Sequence, residues 1–308
     1  MIELIKNPNI DFLGKRYIAF AFSGILAILG IIAIVQIATG HANLGIDFAG
    51  GTAIQLKFEK PVALHDIRLA LENGGLKDFD LQDLPTVSKV LIRIKKSEQE
   101  LGQVSEAITS ILSQKFPENR YVVDSTTVIG PKVGGRLRVD AAKAVAFAVI
   151  GILIYVAFRF QFKFSVGATI ATFHDVLAVL GLFYIMGREI NLILITALLT
   201  IAGYSLTDTV VVFDRIRENL KLRQREGIEV VMNSSINEVL SRTIITSTTV
   251  LLTSIALFFF GGEVIHDFSL AMIMGVIVGT YSSIFVASPI VLIWGGKRPF
   301  AKNSHRSD

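Results

Sequence analysis

Asp175, Asp208 and Arg242 lie in segments otherwise too apolar to hold a charge. A charged side chain at the centre of a bilayer costs at least about 2.5–3.5 kcal/mol, so such residues face a protein interior or a wet path and are functional candidates from the start. Asp208 ends the run Ala202-Gly203-Tyr204-Ser205-Leu206-Thr207-Asp208, inside the apolar stretch Leu192 to Phe213. Arg242 is followed by Thr246, Thr249 and Thr253, a spacing that lines one charge and three hydroxyls along a single helical stripe. Asp175 follows His174 and shares a helical face with Ala168, Ala171, Thr172 and Ala178. A carboxylate in a low dielectric with a movable cation beside it is a proton-binding switch, because burial favours its neutral form and the cation its charged form. Each residue also has a structural reading. Arg242 suits a snorkelling anchor, Asp208 a helix–helix hydrogen bond, and Asp175 a partner for His174.

Other chemistries are poorly served. The five histidines are scattered without ligand spacing, so no metal is expected. A Gly-x-x-x-x-Gly-Lys-Ser/Thr loop is absent, which argues against ATP. No nucleophile elbow or Ser/His/Asp set stands out, so an enzyme is not expected and neither is a cofactor. The chain has no cysteine, which excludes disulfides and thiol chemistry. An ion gradient remains as the energy source for any work done.

The elements that must position these groups are membrane spans. The chain is 52% hydrophobic, with a mean hydropathy of +0.58. A span takes about 20 apolar residues, and the sequence predicts spans at 17–38, 139–158, 165–186, 190–213, 243–261 and 268–294. The first has a basic lead, Lys15 and Arg16, but its apolar run exceeds the core of a signal peptide, so it reads as a retained helix. Basic residues gather at 6–16, around Arg159 and Lys163, along 215–225 and at 297–302. The positive-inside rule then makes segments 1–16, 214–242 and 295–308 cytoplasmic, in an inner membrane where the chain has one. Glu218, Glu226 and Glu229 interleave with the longest basic cluster, which argues against nucleic acid.

Residues 39–138 form the one sizeable soluble region, on the outer face. Thr52–Phe58, Phe79–Leu84, Lys89–Ile94 and Tyr121–Ile129 read as strands, with a turn at Pro85. Ala63–Glu72, closed by Asn73-Gly74-Gly75, and Glu98–Phe116 read as helices. The order βαββαβ predicts a ferredoxin-like α+β unit. In the connection 214–242, Ile228, Val231, Met232, Ser235, Ile236 and Val239 form a stripe for either a membrane surface or a partner. Gly275-x-x-x-Gly279, followed by Ser282, Ser283 and Ser288, reads as close helix packing.

Three long motifs carry a family resemblance. Gly45-Ile46-Asp47-Phe48-Ala49-Gly50-Gly51 resembles the glycine signature of the SecD/SecF proteins. The run from Gly203 through Asp208 to Glu218 resembles the family's fourth-span motif, and Ser241-Arg242-Thr243-Ile244-Ile245-Thr246-Ser247 the motif opening its fifth span. Thr207 stands where the family usually has Asn. The resemblance implies a half of the resistance–nodulation–division architecture, a partner of the SecD kind supplying the other six spans, and work beside the SecYEG channel. It further implies contact with a YajC-like accessory protein and the translocating preprotein. In the family, the proton-motive force completes export after the ATP-driven step, and the fourth-span aspartate and fifth-span arginine act in proton movement. Those roles carry over to Asp208 and Arg242, with Tyr204 and Ser205 beside them. Gly45, Gly50 and Gly51 around Asp47 also suit a plain helix-to-strand junction. Two rival functions are a half-size exporter of small hydrophobic molecules and an assembly factor that moves no ion.

Overall fold

The computed structural model of the chain describes residues 8–76, 79–84, 89–95, 101–160 and 162–295. In chain order the elements begin with α1 (Arg16–Thr39), α2 (Ile46–Ala49), β1 (Gly51–Phe58), α3 (Leu64–Asn73), β2 (Phe79–Leu84), β3 (Lys89–Lys95), α4 (Leu101–Lys115) and β4 (Tyr121–Ile129). There follow α5 (Pro131–Arg159), α6 (Phe162–Ile185), α7 (Leu192–Leu222), α8 (Ile228–Phe260), α9 (Glu263–Ser282), a π-helical turn (Ser283–Ala287) and α10 (Ser288–Gly295). They form two compact units. One comprises Leu44–Lys143 with Glu189–Leu192, and the other Met1–Asn43, Ala144–Arg188 and Ile193–Asp308.

The smaller unit is built on a four-stranded antiparallel sheet of order β2-β3-β1-β4. Alternation fixes its register. Ile54 pairs with Ile92 and Leu56 with Val90, so one face of the sheet is hydrocarbon. Onto it α3 brings Ile67 and Leu71, and α4 brings Val104, Ile108 and Leu112, all of them buried. The turn at Pro85 and the start of the second helix at Glu98 lie outside the described residues. A feature without a local sequence signal is the capture of Glu189–Leu192 by this unit. Leu44 bridges Ile190 in parallel, and Arg93 pairs with Glu189 at 3.4 Å with both side chains largely buried. The sequence showed only a short interspan loop there, since these contacts join positions far apart in the chain.

Among the described residues, six helices are long and apolar enough to cross a membrane. α1 and α6 cross where neither has a side chain. A Cβ on Gly30 would stand 2.3 Å from the Leu177 carbonyl oxygen, and one on Gly181 would stand 2.6 Å from the Gly30 nitrogen. Such backbone approach gives dispersion contact where the hydrophobic effect between helices is lost. α7 and α8 have 31 and 33 residues, about 46 and 50 Å at ~1.5 Å per residue, against a hydrocarbon layer of about 30 Å. The polar connection is therefore mostly continuous helix extending the two spans, closed by a short turn. Its apolar stripe is covered by the chain itself. Val231, Met232 and Ile236 bury against Phe12, Leu13, Ile216 and Leu220. Asn237 clamps the backbone of Ile10, accepting from its N–H at 2.9 Å and donating to its carbonyl at 2.9 Å. Asn233 accepts from the Phe12 N–H at 2.9 Å.

The last span is interrupted. Pro289 has no N–H, and its ring would collide with the carbonyl four residues back in a regular helix. The chain widens into the π-helical turn immediately before it. The Ser288 hydroxyl donates to the Ser283 carbonyl at 3.0 Å and so ties the wide turn together.

Candidate functional site: two buried acids in the membrane unit

α6 places Asp175 fully inside the helix bundle, at 0% exposure. The His174 ring Nδ1 lies 2.9 Å from its Oδ1. Two hydroxyls from other helices donate to its Oδ2: Ser205 of α7, in a short contact, and Ser282 of α9 at 2.7 Å. A buried carboxylate needs such donors, because its lone pairs otherwise face hydrocarbon. Gly279 makes room for one of them: a Cβ there would meet the Ser205 Cβ at 3.2 Å.

Asp208 stands three residues after Ser205 on the same face of α7 and is 7% exposed. Ser283 donates to its Oδ2 at 2.6 Å. The consecutive residues Ser282 and Ser283 thus hold one acid each. Gly275 and Gly279 do pack closely, against Ile201 and Ser205. The serines after them do more than pack, which the sequence pattern did not distinguish, since a hydroxyl three or four residues past a glycine suits either role.

Arg242 lies within electrostatic reach of Asp208 across the α7–α8 boundary. Its side chain is exposed on α8, as are Thr246, Thr249 and Thr253. The stripe predicted from spacing therefore exists, but it is turned away from the centre of this chain. Its hydroxyls donate to their own helix: Thr246 to the Arg242 carbonyl at 3.0 Å, Thr249 to that of Thr246 at 2.7 Å, and Thr253 to that of Thr249 at 3.0 Å. α7 exposes a matching line, Thr196, Thr200, Gly203 and Thr207. So it is this line, and not Asp208, that α7 turns outward. Tyr204 donates to Ser247 of α8 at 3.0 Å, and Ser247 lies 2.6 Å from the Thr280 hydroxyl of α9, giving a hydroxyl chain beside the acids.

The glycine signature sits in the other unit. Gly50 has φ of 75° and an incoming Cβ would come within 2.9 Å of Pro131, so no L side chain fits there. Gly45 donates its N–H to the Ile190 carbonyl at 3.0 Å. The Asp47 carboxylate accepts from the N–H of Leu192, the first residue of α7, at 3.0 Å. That satisfies an otherwise orphaned helix donor and places negative charge at the positive end of the helix. The signature is a junction that fastens Ile190 and the start of α7, beyond the plain turn that its glycines suggest.

The comparisons with known proteins agree with one another. Residues 108–297 match the family model of the protein export membrane protein SecD/SecF, C-terminal, and residues 37–62 match the SecD/SecF GG motif. The chain is 58% identical over 297 residues to protein translocase subunit SecF of Thermodesulfovibrio yellowstonii, covering 96% of this chain and 98% of that protein. It is 46% identical over 296 residues to the SecF subunit of Calditerrivibrio nitroreducens, covering 95% and 96%. The crystal structure of SecDF, a translocon-associated membrane protein from Thermus thermophilus, superposes with a TM-score of 0.81 at 39% identity. That match covers 94% of this chain but only 39% of the SecDF chain. A super-membrane-facing form of SecDF gives a TM-score of 0.70 at 38% identity, covering 96% and 40%.

Proposed function

The chain belongs to the SecD/SecF family, as a multi-pass membrane subunit of the SecF kind in the protein translocase, and from that premise we propose that it couples proton movement to export. Asp208 binds and releases the proton, Arg242 tunes it electrostatically, and the work is done after the ATP-driven step, beside the SecYEG channel. The observation that carries this reading is a buried span-four acid that accepts from the Ser283 hydroxyl, with an arginine within electrostatic reach on the next helix. In the smaller unit the buried face of the sheet is hydrocarbon, and the buried acid Glu189 is already paired with Arg93.

SecD is the proposed partner for the outward face of α7 and α8. An exposed Arg242 and two lines of threonine are poor lipid-facing groups. The solved SecDF chains, of which this chain spans about two fifths, join such a half to further sequence in one polypeptide. Contact with a YajC-like protein and with the preprotein is carried over from the family alone. The proposed topology puts both chain ends in the cytoplasm and the four-stranded unit outside, following the basic clusters.

Two measurements test this reading. In vesicles carrying the full complex, Asp208→Asn keeps the shape and hydrogen bonding of the side chain but cannot titrate. Gradient-stimulated export is expected to fall to the level seen without a gradient, while ATP-driven initiation persists. Wild-type stimulation in a well-folded Asp208→Asn chain would leave the assembly-factor reading ahead. A single cysteine at the exposed Glu118 is expected to react with an impermeant maleimide in cells whose outer barrier has been opened. Labelling only after lysis would invert the topology.

A further inference from the structure

Ser282 and Ser283 are adjacent residues that donate to different acids, Asp175 at 2.7 Å and Asp208 at 2.6 Å. Each also has a second acceptor in its own helix. Ser282 reaches the Gly279 carbonyl at 3.2 Å and Ser283 the Thr280 carbonyl at 3.0 Å. A hydroxyl carries a single hydrogen, so each serine must choose. An ionised carboxylate wins that choice, since a charge-assisted bond is the stronger one. A protonated carboxyl has one O–H of its own to donate, which leaves the serine free to turn back to the carbonyl in its own helix. Each serine is thus a two-position rotor set by one acid.

The two rotors straddle the start of the wide turn, Ser282 closing α9 and Ser283 opening the turn. Ser283 opens the π-helical turn, where the regular backbone ladder is already broken ahead of Pro289. Single π-helical turns inside α-helices are frequent at functional sites, and a change of register in this one would carry Ser283 and displace Ser282 beside it. Both are fully buried, so solvent cannot take over their bonds.

We propose that Ser282 and Ser283 are positioning residues that couple Asp175 to Asp208 through the wide turn of the last span. Asp175 is then a second member of the proton site rather than a structural partner of His174. This rests on the proton reading of Asp208 but is tested separately from it. The other ionisable groups facing the pair are His174 on α6, Tyr204 on α7 and Arg242 on α8. α1 brings none between Ile18 and Thr39, and from Phe268 to Ser282 α9 brings only Tyr281, which donates to the Ala19 carbonyl.

The experiment is a pH titration of the full chain in lipid bilayers by infrared difference spectroscopy. Subtracting Asp208→Asn spectra isolates the Asp208 carboxyl band. Asp175→Asn is expected to move the Asp208 midpoint by about one pH unit, the size typical of close carboxyl neighbours. With Ser282→Ala in the background, that displacement should fall to less than half, and with Ser282→Thr, which keeps the hydroxyl, it should persist. Pro289→Ala is the second probe, because it restores the missing N–H without touching either serine. It is expected to reduce the coupling as Ser282→Ala does. An equal displacement in all backgrounds would mean direct Coulomb interaction and overturn the proposal, as would no displacement at all. Export separates the two readings. If Asp208→Asn exports normally while the coupling persists, the proton reading alone fails. If Asp208→Asn loses gradient stimulation while the coupling is absent, only the serine proposal fails.

Discussion

Hydrocarbon fills the centre of the four-stranded unit, with Ile54, Leu56, Ile67, Ile92, Ile108 and Leu112 all at 0% exposure. The centre of the membrane unit instead holds Asp175, Ser205, Asp208, Ser282 and Ser283, while its outward faces carry exposed Ile25, Ile28, Phe147 and Phe259. The solvent explains the inversion. Water drives apolar side chains inward in the first unit, at roughly 25 cal/mol per Å² of area buried. Lipid gives no such drive between helices, which leaves close packing and interhelical hydrogen bonds to hold the second. One interior is therefore a source of stability, and the other is the one where the proposed proton chemistry would take place. A substitution at each centre should fail in a different way.

The largest stability effect is expected from Leu112→Ala. It removes a fully buried side chain of α4 and leaves a cavity against Phe58 and Ile108, a change that costs about 2–5 kcal/mol. Thermal or denaturant unfolding of the four-stranded unit in the intact chain would register it. A loss below about 1 kcal/mol would mean that this core relaxes around the gap, contrary to a densely packed hydrocarbon centre.

The sequence exposed these two interiors unequally. Strands β2 and β4 were legible to the residue, because period-2 alternation bounded by turn residues is a local signal. The acids were legible as well, since a charge within a long apolar run is conspicuous whatever surrounds it. Which way they face was not. Asp208 turns inward and Arg242 outward, although both sit on helices of similar hydropathy, and weak amphipathic contrast gives no direction in a bilayer. The last span was read as continuous over 268–294, and the widening at Ser283–Ala287 with the donors it presents is a tertiary fact. Glu189–Leu192 looked like an ordinary loop because the partners that capture it, Leu44, Asp47 and Arg93, lie about 100 residues away or more. The family motifs added an expected role for Asp208 and Arg242 in proton movement, which spacing alone had left beside their structural readings.

Asp175→Asn should produce the opposite signature to Leu112→Ala. Its amide oxygen still accepts from Ser205 or Ser282, so no donor need be orphaned, and the cost in stability should stay within about 1–1.5 kcal/mol. Gradient-driven export, by contrast, should fall measurably, though less than in Asp208→Asn. Measuring both quantities in the same reconstituted complex decides the matter. If Asp175→Asn unfolds the chain as badly as Leu112→Ala does, the polar centre is structural and the contrast between the two interiors collapses.

The smallest effect is expected where a carboxylate has a donor and water as well. Arg223 donates to both carboxylate oxygens of Glu226, from Nε at 2.7 Å and Nη2 at 2.5 Å, on the short turn between α7 and α8. The guanidinium hydrogen bonds hold Glu226 below the usual carboxylate range, and the carboxylate in turn raises Arg223. With the folded value depressed, any stabilisation is present above the unfolded carboxylate range and is lost as the pH falls through the folded value. Arg223 stays protonated throughout that window, so Glu226 alone sets it. Because the pair is exposed, water offers both groups alternative partners, and salt screens what remains. Glu226→Gln should therefore leave both the melting temperature and gradient-driven export at neutral pH unchanged. The geometry at Glu226 is better than that at Asp208, being doubly hydrogen-bonded to a full positive charge, yet its removal should cost least. If Glu226→Gln instead impaired export as Asp208→Asn is expected to, burial would not be what separates a working acid from an ornamental one.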